Sequence, residues 1–253
     1  MDLIVIPTYQ EAATVTGLVD RILGVADLAS FHVLVVDDAS PDGTADIVRA
    51  HPAYGDRLLL LRRAGKDGLG TAYRDGFAWA EQHGYAVVVQ MDADGSHPPE
   101  SVPDLVDALR EADVAIGSRY VPGGRTVNWP WRRRLVSRAG NLYVQFLLGL
   151  PVRDATAGFR AYRPGVLAAI APDGTEASGY SFQIETTWRA TRSGLRLVEV
   201  PITFVERQQG SSKMTTSIAV EALWRVFAWR FLSPPAAPVR ARVQVVGSQS
   251  TRR

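Results

Sequence analysis

Apolar residues in the first half of the chain fall in short runs, separated by amphipathic stretches of helix length. Leu3–Pro7 reads as a short buried strand, and polar Thr8–Ala12 leads into a helix pattern near Thr14–Leu23. His32–Asp37 is a β-branched run that ends in acids, and Ser40-Pro-Asp-Gly-Thr44 is a turn into a helix over Thr44–Ala50, with proline and aspartate where a first turn favours them. Strands at Arg57–Leu61, Tyr85–Met91 and Asp113–Gly117 alternate with helices at Thr71–His83 and Glu100–Glu111. Ala72, Phe77 and Ala80 give the first of those helices an inner face. Apolar strands alternating with helices predict an α/β fold whose mostly parallel sheet is covered on both faces. Right-handed crossovers then set the strand C-termini along one edge, where open α/β sheets bind ligands.

The second half is less regular. Arg119–Trp131 is rich in Gly, Pro and Trp and reads as a long loop, followed by a helix over Arg132–Gly149 with an arginine face and an apolar face of Leu135, Leu142 and Phe146. Phe159–Tyr162 reads as a short strand, Ser181–Arg192 as a helix, and Arg196–Val200 with Ile202–Val205 as a strand bent around Pro201. A last helix over Ser217–Phe231 carries Trp224, Phe227, Trp229 and Phe231. The remainder, 233–253, is proline-rich and basic, a composition that predicts disorder. The apolar faces of the two late helices suit either burial in the core or contact with a membrane surface.

A chain of 253 residues, 46% hydrophobic and 21% charged, suits one large α/β domain or two small ones. It contains no cysteine, which removes disulfides, thiolate metal sites and cysteine nucleophiles together and fits a reducing compartment. No apolar run approaches the roughly 18–20 residues needed to cross a bilayer. The start, Met1-Asp2, has no basic leader, so no signal peptide is expected. The net charge of +2 hides an asymmetry: Tyr120–Arg153 holds six arginines and no acid, and Ala222 onward holds six more and again no acid. Two basic segments on an acidic body suit an anionic partner, nucleic acid or a phosphate-bearing membrane. They suit a solvated arginine surface equally well.

Polar residues cluster where the predicted strands end. Asp92-Ala93-Asp94 follows a buried run, and two carboxylates there are placed to hold a hard cation, Mg²⁺ or Mn²⁺, that keeps positions open for substrate phosphates. The same three residues also describe a loop of solvated acids. Gly95 permits a sharp turn, and Ser96 and His97 add polar groups. Asp37-Asp38 ends the second strand, where acids accept hydrogen bonds from a ribose or base; Ser40 or Asp42 is the better cap for the next helix. Gly68-Leu-Gly-Thr-Ala-Tyr73 lacks the third glycine of a dinucleotide fingerprint and does not follow the first strand, and there is no Walker lysine motif. Dehydrogenase and P-loop chemistry are thereby disfavoured. Arg207 with Gly210-Ser-Ser-Lys213 fits a phosphate-binding lid or a polar linker, and Lys213 is one of two lysines in the chain. Histidines 32, 51, 83 and 97 show no metal spacing, and no Ser-His-Asp arrangement stands out.

Taken together these stretches resemble the family 2 glycosyltransferases of GT-A (Rossmann-like) fold, and more closely the polyprenol-phosphate (dolichol-phosphate) mannose synthases. The match runs through Ile6-Pro-Thr-Tyr-Gln-Glu11, Val35–Thr44, Gly68–Tyr73, Asp92–Glu100, Gly117–Tyr120, Arg134–Asn141, Asp154–Arg160, Gly179–Glu185 and Glu206–Lys213. The resemblance implies one glycosyltransferase domain over 1–232, with a nucleotide-sugar half (1–118) and an acceptor half (119–232). Pro7, Tyr9, Glu11, Val36 and Asp38 would hold the nucleoside of GDP-mannose. Asp92 and Asp94 would ligate Mg²⁺ or Mn²⁺ and act in catalysis, with Ala93 lining the site. Arg119 would contact phosphate and act with Asp92 and Asp94 in catalysis, and Arg207 and Lys213 would lie on the loop closing over the donor. One departure stands out: the family's Leu-Gln after Asp-Ala-Asp is Gly95-Ser96 here, which makes the Ser96 hydroxyl the candidate third metal ligand. The acceptor, polyprenyl phosphate, would be drawn by Arg119, Arg132, Arg133, Arg134 and Ser137. The implied enzyme works at the cytoplasmic face of a membrane, peripherally attached to anionic lipid or to a separate membrane protein, with no nucleic-acid partner. A UDP-sugar donor such as UDP-glucose, or a silent nucleotide- or lipid-phosphate-binding module, stays open beside it.

Overall fold

The structure, a computed structural model, describes residues 1–170, 180–206, 216–232 and 243–245. Strand β1 (Asp2–Thr8) is the middle of the sheet, with Leu3 to Ile6 wholly buried. Burial on both faces selects the unbroken apolar run seen in its sequence. It pairs in parallel with β2 (Phe31–Asp37) on one side and β4 (Val87–Gln90) on the other, and β3 (Leu58–Arg62) lies beyond β2. Pairing with β4 stops at Val5, so Pro7, which has no N–H to give, sits past the end of that ladder. Between them run helices α1 (Val15–Leu23), α2 (Thr44–Ala50) and α3 (Leu69–Gln82). Then come α4 (Val102–Ala108) and β5 (Val114–Ser118). These elements match the sequence reading to within a few residues, the largest difference being the shorter α4.

Two apolar layers cover the sheet. Val15, Leu18, Val19 and Ile22 of α1 pack on one face with Leu105, and Ala72, Tyr73, Phe77 and Ala80 of α3 on the other with Phe182. Helix α3 lies close because residue 76 is glycine: a Cβ there would come within 2.5 Å of Val5 Cγ1.

The second half departs from the sequence reading in four places. The stretch expected to be loop contains β6 (Arg125–Val127). The bent strand is two: β8 (Leu197–Pro201) runs parallel to β5, while β9 (Thr203–Val205) leaves to pair with β6 in a separate small sheet. Pro201 ends the first ladder, and Ile202 bridges the sheets by donating to Ser118 O and accepting from Arg125 N–H. A one-turn helix, α6 (Leu167–Ile170), is too short to leave a periodic signal. Finally, β10 (Val243–Val245) pairs with β8, an ordered element inside the tail expected to be disordered; the rest of 233–253 lies outside the described residues.

Strand β7 (Arg160–Tyr162) slots antiparallel between β4 and β5. Among the described residues the main sheet therefore runs β10-β8-β5-β7-β4-β1-β2-β3, and its order reverses between β1 and β4. Ligands of open α/β sheets bind in the crevice at such a switch point. Helices α5 (Trp131–Leu148), α7 (Tyr180–Arg192) and α8 (Thr216–Leu232) complete the second half. The expected apolar face of α5 does not enter the core. Asn141 and Val144 turn inward, whereas Trp131, Leu135, Leu142 and Phe146, on one stripe, are 60–91% exposed. Leu223, Trp224, Phe227 and Phe231 of α8 are exposed as well, and the two helices meet where Tyr143 Oη donates to Leu223 O at 3.2 Å. No helix among the described residues is long and apolar enough to cross a membrane.

Candidate active site

The loops after β1 and β2 are stitched to each other through side chains. Buried Asp37 accepts from Thr8 Oγ1 at 3.1 Å, Ser40 N at 3.0 Å and Ser40 Oγ at 2.5 Å. It therefore organises the turn and is not presented to a ligand. Ser40 Oγ accepts from Gln10 N and Thr44 Oγ1 from Glu11 N, both at 3.1 Å. Gln10 and Ala39 are held at positive φ (59° and 54°), uncommon for residues with a Cβ and persisting where neighbours enforce it. Ser40 thus spends its hydroxyl on these loops. The helix cap is Gly43 at φ 84°, with Asp42 accepting from Thr44 N and Oγ1. Burial alone would raise Asp42, but those bonds and one from Ala12 N–H hold its carboxyl below the usual value.

Among the residues expected at the nucleoside, Pro7 and Val36 are buried partners across β1 and β2 and form a floor. Tyr9 is half-buried with Lys66 Nζ 3.9 Å over its ring. Glu11 is half-buried and accepts from Thr14 Oγ1 at 2.7 Å. Asp38 is fastened by an ion pair with Arg63 and by Gly68 N–H at 3.2 Å. Arg63, itself almost buried, also holds Asp75 at 2.6 Å.

Asp92 and Asp94 stand just past β4 and are both partly exposed, with Ala93 buried between them. Asp92 N–H donates to His97 Nδ1 at 3.1 Å, and the His97 ring stacks on Phe159 at 5.1 Å between centroids; His97 is a turn residue here. Asp94 accepts from Ser96 N at 3.1 Å, and Gly95 at φ 72° supplies the left-handed turn between them. On Asp92, Oδ1 accepts from Tyr73 Oη at 2.7 Å. No group of three or more His, Asp or Glu able to hold a metal exists among the described residues. Two carboxylates nevertheless fit Mg²⁺ or Mn²⁺, which is commonly held by one or two carboxylates with the rest of its shell from substrate phosphates and water. The Ser96 hydroxyl is buried and without a hydrogen-bond partner, an oxygen of the right chemistry beside the pair.

Arg119 faces inward. Its Nε and one terminal nitrogen grip Asp154 at 2.7 and 2.6 Å, and the latter also reaches Thr156 Oγ1 at 2.8 Å. Asp154 N–H in turn donates to Glu199 Oε1 at 3.0 Å. Burial raises the Glu199 carboxyl, with N–H donation from Arg153 and the Ser118 hydroxyl opposing that shift. A bidentate pair this deep holds the β5 end to the loop before β7, and neither Asp154 nor Glu199 was singled out from sequence as a site residue. The only signal was Asp154 opening one of the matching stretches.

Strand β9 links the aspartate loop to the start of α5. Val205 N–H donates to Ser96 O at 3.3 Å, and Phe204 meets both His97 and Trp129 edge-on at 5.7 and 5.3 Å. Arg133 lies 4.4 Å over Trp129 and pairs with Glu206. Arg132 and Arg134 are exposed, and Ser137 Oγ accepts from Tyr120 Oη at 2.7 Å. The residues expected at the acceptor thus differ in surroundings: Arg119 is buried against Asp154, Arg133 and Ser137 are partnered, and Arg132 and Arg134 are exposed. Arg207 and Lys213 lie outside the described residues.

Asp92 and Asp94 thus lie beside the switch point of the sheet, where open α/β sheets bind ligands. The chain belongs to glycosyl transferase family 2, whose model matches residues 3–170. It is 50% identical over 227 residues to an undecaprenyl-phosphate mannosyltransferase of Micrococcus luteus, covering 90% of this chain and 93% of that one. It is 49% identical over 232 residues to a polyprenol monophosphomannose synthase of Mycolicibacterium smegmatis, covering 90% and 86%. Its fold is that of a mannosyltransferase from Pyrobaculum calidifontis solved with GDP-Man and Mn²⁺ (TM-score 0.62, 19% identity, 94% of this chain and 66% of that one). It also matches a glucosyl-3-phosphoglycerate synthase from Mycobacterium tuberculosis solved with Mn²⁺ and UDP (TM-score 0.65, 20% identity, 93% and 81%).

Proposed function

We propose that this chain transfers mannose from GDP-mannose to the phosphate of a polyprenyl phosphate, giving a polyprenyl β-mannosyl phosphate. The observation that carries the reading is the Asp92–Asp94 pair, set at the switch point and joined through β9 to the arginine-rich start of α5. The relatives' names support mannose and a polyprenyl phosphate, and GDP as the carrier of mannose is part of the proposal. An acceptor phosphate oxygen, already anionic, attacks the anomeric carbon of mannose from the side opposite GDP. The new C–O bond forms as the bond to the diphosphate breaks, and its electron pair leaves with GDP, inverting the anomeric centre. No strong general base is needed, so the residues' task is to hold the donor and offset charge on the leaving diphosphate. Asp92 and Asp94, with Ser96 as an additional oxygen, would hold Mg²⁺ or Mn²⁺, which would supply that neutralisation, and Arg207 and Lys213 are assigned to the same diphosphate. Pro7, Tyr9, Glu11, Val36 and Asp38 hold the nucleoside, while Arg132 and Arg134 receive the acceptor phosphate. Arg119 serves by positioning through Asp154.

A lipid acceptor requires a surface that meets a bilayer. The exposed stripe of α5, flanked by Arg134 and Arg138, and the aromatic face of α8 have the make-up of interfacial helices on anionic lipid. We assign them to peripheral attachment at the cytoplasmic face. The test is transfer of labelled sugar to a short polyprenyl phosphate with Mn²⁺, offering GDP-mannose and UDP-glucose in parallel. Transfer from GDP-mannose alone is expected. Preference for UDP-glucose would move the chain to the other donor, and donor binding without transfer would make it a silent module.

A further inference from the structure

The segment Gly68–Tyr73, which matched no nucleotide fingerprint, touches both ends of the donor site. At its start, Gly68 N–H donates to Asp38 Oδ2 at 3.2 Å, and Gly68 adopts φ 95°, ψ 166°, a conformation open essentially to glycine alone. Five residues along α3, Tyr73 Oη donates to Asp92 Oδ1 at 2.7 Å. The Tyr73 side chain is wholly buried, held between the rings of Phe77 and Phe182 at 5.9 and 6.0 Å between centroids. In its bond to Asp92 the tyrosine hydroxyl donates and the carboxylate accepts. The other oxygen, Oδ2, lies 3.9 Å from His97 Nε2, and a Cβ on residue 158 would approach it to 3.1 Å.

We propose that Tyr73 is a positioning residue that ties down one oxygen of Asp92, so that the other is held toward the divalent cation of the donor complex. The inference rests on the metal role assigned to Asp92 above. Partners of this kind orient a ligating carboxylate, and losing one lowers metal affinity by roughly 10–100-fold. Helix α3 then serves as a rigid bar between the nucleoside end of the site, through Gly68, and the diphosphate end, through Tyr73.

Tyr73→Phe keeps the ring and its stacking and deletes only the donor. Tyr162→Phe is the control: Tyr162 is an equally buried tyrosine of the same core whose hydroxyl donates to Gln90 Oε1 at 2.8 Å. Calorimetric titration of Mn²⁺ into protein with saturating GDP should show a dissociation constant raised on the order of 10-fold or more by Tyr73→Phe and unmoved by Tyr162→Phe. In the unaltered chain, the Tyr73 hydroxyl proton resonance should shift when Mg²⁺ and GDP are added together, a measurement that does not depend on the variant folding. An unchanged constant in Tyr73→Phe, an equal rise in both variants, or an unmoved resonance would each overturn the role of Tyr73 while leaving the metal assignment standing. An unaltered chain that takes up no Mn²⁺ with GDP would overturn both.

Discussion

The strand-end loops of the first half and the helix pair α5/α8 of the second treat polar and apolar groups in opposite ways. At the loops, polar side chains are buried and committed. Asp37 takes three hydrogen bonds, Asp38 two partners, and Asp92 a buried tyrosine. At the helix pair, large apolar side chains stand in solvent, with Phe146 at 91% exposure. Buried and fully paired polar groups rigidify a site before its ligand arrives. Large exposed apolar patches commonly mark interaction surfaces. The difference fits the division proposed above, with one region for a small charged molecule and the other for a bilayer surface.

That contrast can be broken most severely at the buried pair between the two regions. Arg119→Met leaves buried Asp154 without its bidentate partner, and breaking a buried pair by removing one member costs about 3–5 kcal/mol. Denaturant melts should show this loss, whereas Arg132→Gln, at an exposed site, should stay within about 0.5 kcal/mol of the parent. A milder test falls on α5. Leu142→Ser with Phe146→Ser should leave the melt within about 0.5 kcal/mol yet abolish sedimentation with anionic vesicles. Retained vesicle binding would remove α5 from the attachment surface, and a large fall in stability would mean that the stripe is covered in solution.

The same contrast explains what could be read from the sequence. From β1 to β5 the rule of apolar inside and polar outside holds, so Val33–Val36 and the inner face Ala72, Phe77 and Ala80 were found where they lie. On α5 the rule fails: Leu135, Leu142 and Phe146 form the predicted apolar stripe, but it faces out, and periodicity says nothing about which side of a stripe has a partner. Strand β6, three residues long, left no alternation to read, and β9 was read as strand without any sign that it pairs in a separate sheet. At the site, Asp92 and Asp94 were visible because both carboxylates sit together on a strand end. Tyr73 was not, because its bond spans 19 residues and a tyrosine on a helix looks like core, which it also is. Arg119 was identified as a site residue, but its pairing with Asp154 was not, since that acid lies 35 residues away.

Joining these observations is the assertion that Asp92 and Asp94 together carry a divalent ion to the sugar diphosphate. Mannosyl transfer to polyprenyl phosphate should be followed against Mn²⁺ concentration in the unaltered chain and in Asp94→Asn, a nearly isosteric change. A saturable metal requirement, with transfer reduced on the order of 10²–10³-fold in the variant at saturating GDP-mannose, is the expected result. Equal rates in the two proteins, or full activity with all metal chelated, would contradict it.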